Sequence, residues 1–395
     1  MKYLPILSLT ALSVSSACAE NFDPAPFELT DGISLIPQIE ATVRYDDNIY
    51  NEETDVTSSS IFLLSPSFML GTDDGINRYG ALYKLSSGTY SNSSDDNFVD
   101  HNLSLYGHTE FSDKQRTDFN LAFENTHEDR GSKTTEGDAS SFDEPIKYNL
   151  LTAQGYFQYG GINSIMRVGG GLSYTDKTFT NFESTTKYRD VGKLKIFTDA
   201  DYQIGSVTYL TLELNTTDAQ YDYLATGSDS LDNRDTRVLF GARWDGLAKT
   251  TGIMKAGYQY KTFDSDNRDD FSGATVEVGV EWKPVEHTSF TANVNKSAED
   301  SDTVGDYIDS VGGSLSWNHD WTTDFDSSLQ FIYANEDYVG TTREDDTTYA
   351  MLYLNYDLTR WMQVKAGYEY TTKDSNSSDI SYDKNAVSLG VVVAL

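Results

Sequence analysis

The stretch Ser388-Leu389-Gly390-Val391-Val392-Val393-Ala394-Leu395 reads as a β-strand, because its side chains sort by parity. Leu389, Val391, Val393 and Leu395 fall on one face. Ser388, Gly390 and Ala394 fall on the other, with Val392 the bulky exception. An apolar face opposite a small or polar one suits the last strand of a soluble sheet. It equally suits a strand with lipid on one side and a lumen on the other. The chain upstream decides between them.

Working outward from this stretch, one unit recurs back to Ile39. About ten residues alternate apolar and polar, a short turn follows, a second run returns, and a long polar loop closes the unit. The apolar parity runs through Ile39, Ala41 and Val43, then Phe62, Leu64, Phe68 and Leu70, then Phe119, Leu121 and Phe123. Met254, Ala256, Tyr258 and Tyr260 continue it, as do Val276, Val278, Val280 and Trp282. Counted this way the chain has about eighteen strands, within a range of roughly 16–20, and single-chain bacterial barrels need an even number.

Connections alternate in length. Short turns are predicted at Asp73-Asp74-Gly75, Asp113-Lys114, Gly160-Gly161, Gly205, Asp245-Gly246, Pro284, Thr322-Thr323 and Thr359-Arg360. Long polar loops are predicted over 125–144, 176–190, 216–235 and 373–383. A soluble sandwich has no reason to gather its long loops at one end. A membrane barrel does, with short periplasmic turns and long extracellular loops. All five tryptophans, Trp244, Trp282, Trp317, Trp321 and Trp361, fall at the short-turn end, while Tyr174, Tyr258, Tyr260, Tyr368 and Tyr370 fall at the other. Two aromatic girdles are what lipid interfaces favour, and β-propensity alone would not sort tryptophan to one rim. The expected fold is all-β, a transmembrane antiparallel up-and-down β-barrel occupying residues 38–395. In that setting Ser388, Gly390, Val393 and Leu395 resemble the C-terminal signal recognised by the outer-membrane barrel assembly machinery, although such signals usually end in Phe or Trp.

The N-terminus fits this destination. Lys2, the apolar run from Leu4 to Val14, and Ala17-Cys18-Ala19 form a secretory signal over 1–19. The run is too short for a membrane helix, which needs about twenty apolar residues. A lipoprotein reading of Cys18 lacks the aliphatic residue usual three positions earlier. Cleavage after Ala19 leaves a mature chain without cysteine, which excludes thiol catalysis and zinc-thiolate sites. Residues 20–37 form a short periplasmic segment, far too small to be a plug domain. The chain carries 29 Lys+Arg against 62 Asp+Glu, a net charge of -33, which repels nucleic acid. With 13% aromatic residues it is not a disordered acidic chain.

Ser65-Pro66-Ser67, Tyr79, Tyr83, Tyr90, the run from Ser94 to His101, and His127-Glu128-Asp129-Arg130-Gly131-Ser132 carry a family likeness. In them the chain resembles the bacterial β-barrel porins found with exopolysaccharide and capsular polysaccharide export genes. The likeness implies a wide outer-membrane barrel of a Gram-negative envelope, set in lipid and lipopolysaccharide. It would pass polysaccharide beside a periplasmic polysaccharide export protein, and it implies no catalytic residue and no cofactor. Alternative readings are a general diffusion porin for small solutes and a structural or adhesive surface barrel. A porin should fold a long loop inward, whereas a polymer exporter should keep an open bore.

The inner parity holds the candidate solute-binding residues Arg44, Lys84, Arg167, Arg243, Lys255 and Lys365, with acidic members that include Glu110, Glu213, Glu277 and Glu369. Free, these bases would attract an anion; paired with carboxylates, they would brace the wall. Tyr221, Tyr223, Phe263 and Phe271 could stack on sugars or fold their own loops. The acidic runs 264–270 and 299–302 lack the Gly and distal Glu of an EF-hand, so diffuse Ca²⁺ or Mg²⁺ is expected there at most. His127 beside Glu128 and Asp129 could do acid–base work, or Arg130 could pair with these carboxylates and order the loop. No motif places a nucleophile, and an enzyme is not expected.

Overall fold

A computed structural model of the chain describes residues 22–30, 32–161, 164–301 and 303–394. The predicted signal segment and Leu395 lie outside the described residues. A short strand, β1 (Phe27–Thr30), precedes the wall. The wall begins with β2 (Ile33–Asp46), β3 (Ser59–Asp73), β4 (Arg78–Tyr90), β5 (Phe98–Ser112), β6 (Gln115–Glu128) and β7 (Ile146–Tyr159). It continues with β8 (Met166–Phe179), β9 (Val191–Gln203), β10 (Thr208–Tyr221), β11 (Asn233–Leu247), β12 (Thr250–Phe263) and β13 (Phe271–Val285). β14 (Thr288–Asp300), β15 (Tyr307–Asp320), β16 (Phe325–Val339), β17 (Glu344–Thr359), β18 (Met362–Ser375) and β19 (Tyr382–Ala394) complete it.

Each strand pairs antiparallel with its sequence neighbours, and β19 returns to β2 with Val393 opposite Ile39 and Val387 opposite Tyr45. β2 to β19 are therefore a closed barrel of 18 strands. Closure pairs the backbone all round, which is the condition for a sheet to sit in lipid.

The wall starts earlier than predicted. Residues 33–37 belong to β2, which pairs with β3 from Ser34 opposite Gly71. On its other side β2 meets β19 only from Gln38 upward, and β1 pairs with the uncovered start, Phe27 opposite Leu35. The N-terminal hairpin thus extends the seam where β19 stops. Pro37, which has no N–H to give, falls in the gap between the two partners.

Two short turns are displaced from prediction. The β11–β12 turn is Ala248-Lys249, both with positive φ (51° and 64°), as a tight mirror-image hairpin turn requires. Asp245-Gly246 lies within β11, at an irregularity of register between Trp244 and Leu247. Pro284 lies inside β13, whose turn follows at Glu286-His287. The long loops are shorter than predicted, spanning 129–145, 180–190, 222–232 and 376–381, because pairing continues through polar residues. His127 still stands opposite Lys147, and Glu128 opposite Ile146. The β16–β17 connection, 340–343, is as short as a turn, so the alternation of lengths is not strict there.

The apolar parity faces outward. Phe62, Phe119, Phe123, Leu172, Leu212, Phe240, Leu315 and Leu389 are all exposed. Exposed apolar side chains on consecutive strands form a band that water would penalise and lipid accepts. Among the described residues no helix is long and apolar enough to cross a membrane.

Candidate functional site

The inner parity carries charge in pairs. All six predicted lumen bases lie on it, and five are held by carboxylates. Arg44 meets Glu369 at 3.0 Å and Asp46 at 3.6 Å. Arg167 and Arg243 share Asp201, at 3.4 and 2.8 Å, and both guanidinium groups lie over the ring of Tyr209. Lys255 is 3% exposed between Glu213 at 2.7 Å and Glu277 at 2.6 Å. Lys365 reaches Glu40 at 3.4 Å. Lys84 is exposed and has no ion pair among the described residues. Of the two roles open in the sequence, bracing the wall is the one that five of these side chains are placed for.

The mouth at the long-loop end is built by loop 129–145. Its entry is His127-Glu128-Asp129-Arg130-Gly131-Ser132. Arg130 donates from Nε to Asp96 Oδ1 at 2.6 Å and from Nη2 to Asp96 Oδ2 at 2.7 Å, a two-pronged pair. Its Nη1 bonds the Phe142 carbonyl at 2.9 Å, folding the loop back on itself, and its guanidinium lies over Tyr50. Arg130 therefore pairs with Asp96 of the β4–β5 loop, and Glu128 goes to Lys177 at 2.9 Å. The sequence alternative, Arg130 with Glu128 and Asp129, is not the pairing formed. Gly131 has φ +78°, and a Cβ there would lie 1.6 Å from the Tyr50 carbonyl oxygen. Only glycine lets the two loops close to this distance. His127 is engaged by carboxylates at both ring nitrogens, Nδ1 by Asp100 at 2.9 Å and Nε2 by Asp129 at 3.2 Å. Neither nitrogen is left to accept a proton from a substrate.

From this base the loop reaches the wall near β17 and β18. Glu136 accepts from Arg343 Nη2 at 2.6 Å and from Lys373 Nζ. Both cations also hold Asp345, with Lys373 at 2.9 Å, and Ser375 Oγ donates to the same carboxylate at 2.6 Å. Arg343 and Asp345 are 7% and 0% exposed. Burial works against the charge on Arg343, but its bonds to Asp345 and Glu136 outweigh it and raise its affinity for the proton. Round the wall from β6, the strands β5, β4, β3, β2 and β19 intervene before β18 is reached. A bond from this loop to Lys373 therefore joins wall positions a third of the way round the barrel from each other.

A second element leans in from the opposite sector. Pairing between β13 and β14 ends at Val276 opposite Lys296. Above it, Ala298 trades both backbone groups with the Gln259 amide of β12, at 2.9 and 2.8 Å. Asp300 takes Lys193 of β9 at 2.6 Å together with Lys261 and, at 3.1 Å, Asn233. Phe271, Ala298 and Tyr307 fill the space beneath, with Phe263 packed against them. Two of the four loop aromatics thus serve packing. Asp300, in a run expected to attract cations, is neutralised by lysines, and among the described residues no group of three His, Cys, Asp or Glu is placed to hold a metal ion.

Glu136, Arg343, Asp345 and Lys373 were not singled out in the sequence, whereas Asp300 was, within the acidic run 299–302. The one signal was Arg343, a lone base within a run of Glu336, Asp337, Glu344, Asp345 and Asp346.

The family described as "Putative beta-barrel porin 2" matches residues 33–395. No curated protein matches the chain. Among solved structures, OccK2 (OpdF) of Pseudomonas aeruginosa is similar at 9% identity and a TM-score of 0.50, covering 92% of this chain and 98% of that one. The same porin in complex with glucuronate is similar at 10% identity and a TM-score of 0.50, covering 92% and 99%. A BenF-like porin of Pseudomonas fluorescens Pf-5 is similar at 10% identity and a TM-score of 0.49, covering 91% and 99%. At such identities the likeness to solved structures is one of fold.

Proposed function

This chain belongs to the family described as "Putative beta-barrel porin 2", an outer-membrane channel fold, and from its narrowed mouth we propose that it passes small polar solutes. The observation that carries the proposal is Glu136 of loop 129–145 bound to Arg343 and Lys373, a third of the way round the barrel from the end of β6. A loop held there by buried ion pairs limits the bore, which suits molecules the size of single sugars or ions. A polymer in transit would have to displace it. The reading as a polysaccharide exporter rests on sequence resemblance and draws support from no feature of the mouth.

The lumen favours cations and neutral solutes over anions, since five of its six candidate bases are spent on neighbouring carboxylates. The channel does no covalent chemistry, with lipopolysaccharide around it and the barrel assembly machinery as its route into the membrane. Liposome swelling with sugars of increasing size tests the proposal. Mono- and disaccharides should enter and long dextrans should not; dextran passage at a comparable rate would overturn it.

A further inference from the structure

Strand β8 carries three consecutive glycines, Gly169-Gly170-Gly171, and the exposed Val168 and Leu172 place Gly169 and Gly171 on its inner face. Gly171 stands directly opposite Tyr156 of β7 and Phe197 of β9, and Gly169 directly opposite Asp199 of β9. Phe157 and Ile196 are exposed on the lipid side, so Tyr156, Phe197 and Asp199 face the lumen as well. Both rings lie down over the glycines. A Cβ on Gly171 would lie 2.5 Å from Phe197 Cζ, and a Cβ on Gly169 would collide with the Tyr156 phenol. Half-buried rings that fill the space of missing side chains rest one side on the backbone and turn the other to the lumen.

The two rings are nearly parallel, 6° apart with centroids at 5.9 Å, an offset that leaves most of each face uncovered by the other. Tyr156 is fixed by its hydroxyl, which donates to Asp199 Oδ1 at 2.8 Å and accepts from Gln158 Nε2 at 3.2 Å. Lys195 and Asp199 flank Phe197 on the inner face of β9, each about 7 Å away along the strand. Lys195 Nζ stands 5.7 Å from the centre of the Phe197 ring. Tyr209 in the same wall differs, because the guanidinium groups of Arg167 and Arg243 lie over its ring. This part of the wall offers two ring faces with a donor at one end and an acceptor at the other.

We infer that Tyr156 and Phe197 form a binding platform for a neutral pyranose sugar, with Lys195 and Asp199 holding its hydroxyls. The inference rests on the reading of the barrel as a channel for small polar solutes and names a class among them. One face of a pyranose presents C–H bonds, whose slight positive charge suits the negative face of an aromatic ring. Its rim of hydroxyls needs both donors and acceptors. The Lys195 ammonium gives the first and the Asp199 carboxylate the second. Their charges cancel, so an anionic sugar gains nothing over a neutral one. A solute resting on ring faces and held at its rim is bound firmly enough to enter and weakly enough to leave, as a channel requires.

Single-channel recording of the full chain in planar bilayers reads sugar binding as a block of the ion current. Glucose and maltose should block saturably, and mannitol, which has the hydroxyls but no ring, should not. Phe197→Leu with Tyr156→Leu should raise the half-blocking concentration about tenfold, while Phe197→Tyr, which keeps the ring, should leave it near that of the wild type. Phe119→Leu, exposed on the lipid face, should be blocked as the wild type is. Heat-modifiable gel mobility reports whether each variant is folded. If the double variant does not fold, Phe197→Leu alone is set against Phe197→Tyr, and only the first should weaken the block several-fold. No saturable block in the wild type, equal block by mannitol, or wild-type block in the folded leucine variants overturns the inference. Liposome swelling keeps the two readings apart: sugars that enter without saturable block overturn the platform alone, and sugars that fail to enter overturn the channel reading.

Discussion

Replacing Glu136 by alanine tests whether loop 129–145 limits the bore. Its carboxylate binds Arg343 at 2.6 Å and also Lys373, with side chains 11%, 7% and 10% exposed respectively. Removing one partner of a buried ion pair costs about 3–5 kcal/mol, chiefly because the other charge is stranded. Here Asp345 still serves both cations, which places the expected loss near the lower end, about 3 kcal/mol. At roughly 1.4 kcal/mol per factor of ten, the undocked fraction of the loop tip rises about a hundredfold. The base stays tied by Arg130 to Asp96, so the tip should swing while the barrel persists. Single-channel recording in planar bilayers reads this directly. Glu136→Ala should raise mean conductance and add transitions between two levels, and Glu136→Gln should fall between it and wild type. With heat-modifiable mobility intact, a conductance distribution identical to wild type would refute the assignment of this loop as the constriction.

Gly131→Ala should detach the loop base, because a methyl at that position collides with the Tyr50 carbonyl; trypsin should then cut at Lys133 while the barrel stays folded. Lys255→Ala should destabilise the barrel by up to about 3 kcal/mol, since the half-buried Glu213 and Glu277 would be left without the cation between them. Urea titration followed on gels measures that loss. Lys84→Glu should leave stability unchanged and shift reversal potential toward cations, as the side chain is exposed in the lumen. Deleting residues 393–395 removes the pair of Val393 with Ile39 and that of Ala394 with Gln38, and should lower membrane levels of assembled barrel. Normal levels would mean the terminus is only a strand.

The wall was legible because lipid on one side and water on the other impose a period of two on every strand. Phe119, Leu121 and Phe123 could be assigned outward without knowing any partner. Strand ends were less legible, because polar pairs such as His127 with Lys147 look the same in a strand above the lipid as in a loop. The lumen bases were identifiable by parity, yet parity does not say whether Arg243 meets a solute or Asp201. The mouth was not legible at all. Glu136 and Arg343 are joined only by a loop that reaches wall positions a third of the way round the barrel, and no local period encodes that meeting.

The motif His127-Glu128-Asp129-Arg130-Gly131-Ser132 links these levels. Read alone, it offered an acid–base group; in place, each member holds the loop. His127 and Arg130 use their donors on Asp100, Asp129 and Asp96, and Gly131 removes the side chain that would keep the Tyr50 loop away. A loop rooted so firmly starts at a fixed height and direction, which is what allows Glu136 to meet two cations, one just before β17 and one on β18, rather than remain in solvent. Anchoring and constriction are then one device: the base supplies direction, and the buried pairs at the tip supply the latch. Loosening the base should therefore weaken the latch as well, so Gly131→Ala and Glu136→Ala ought to raise conductance by less together than the sum of their separate effects.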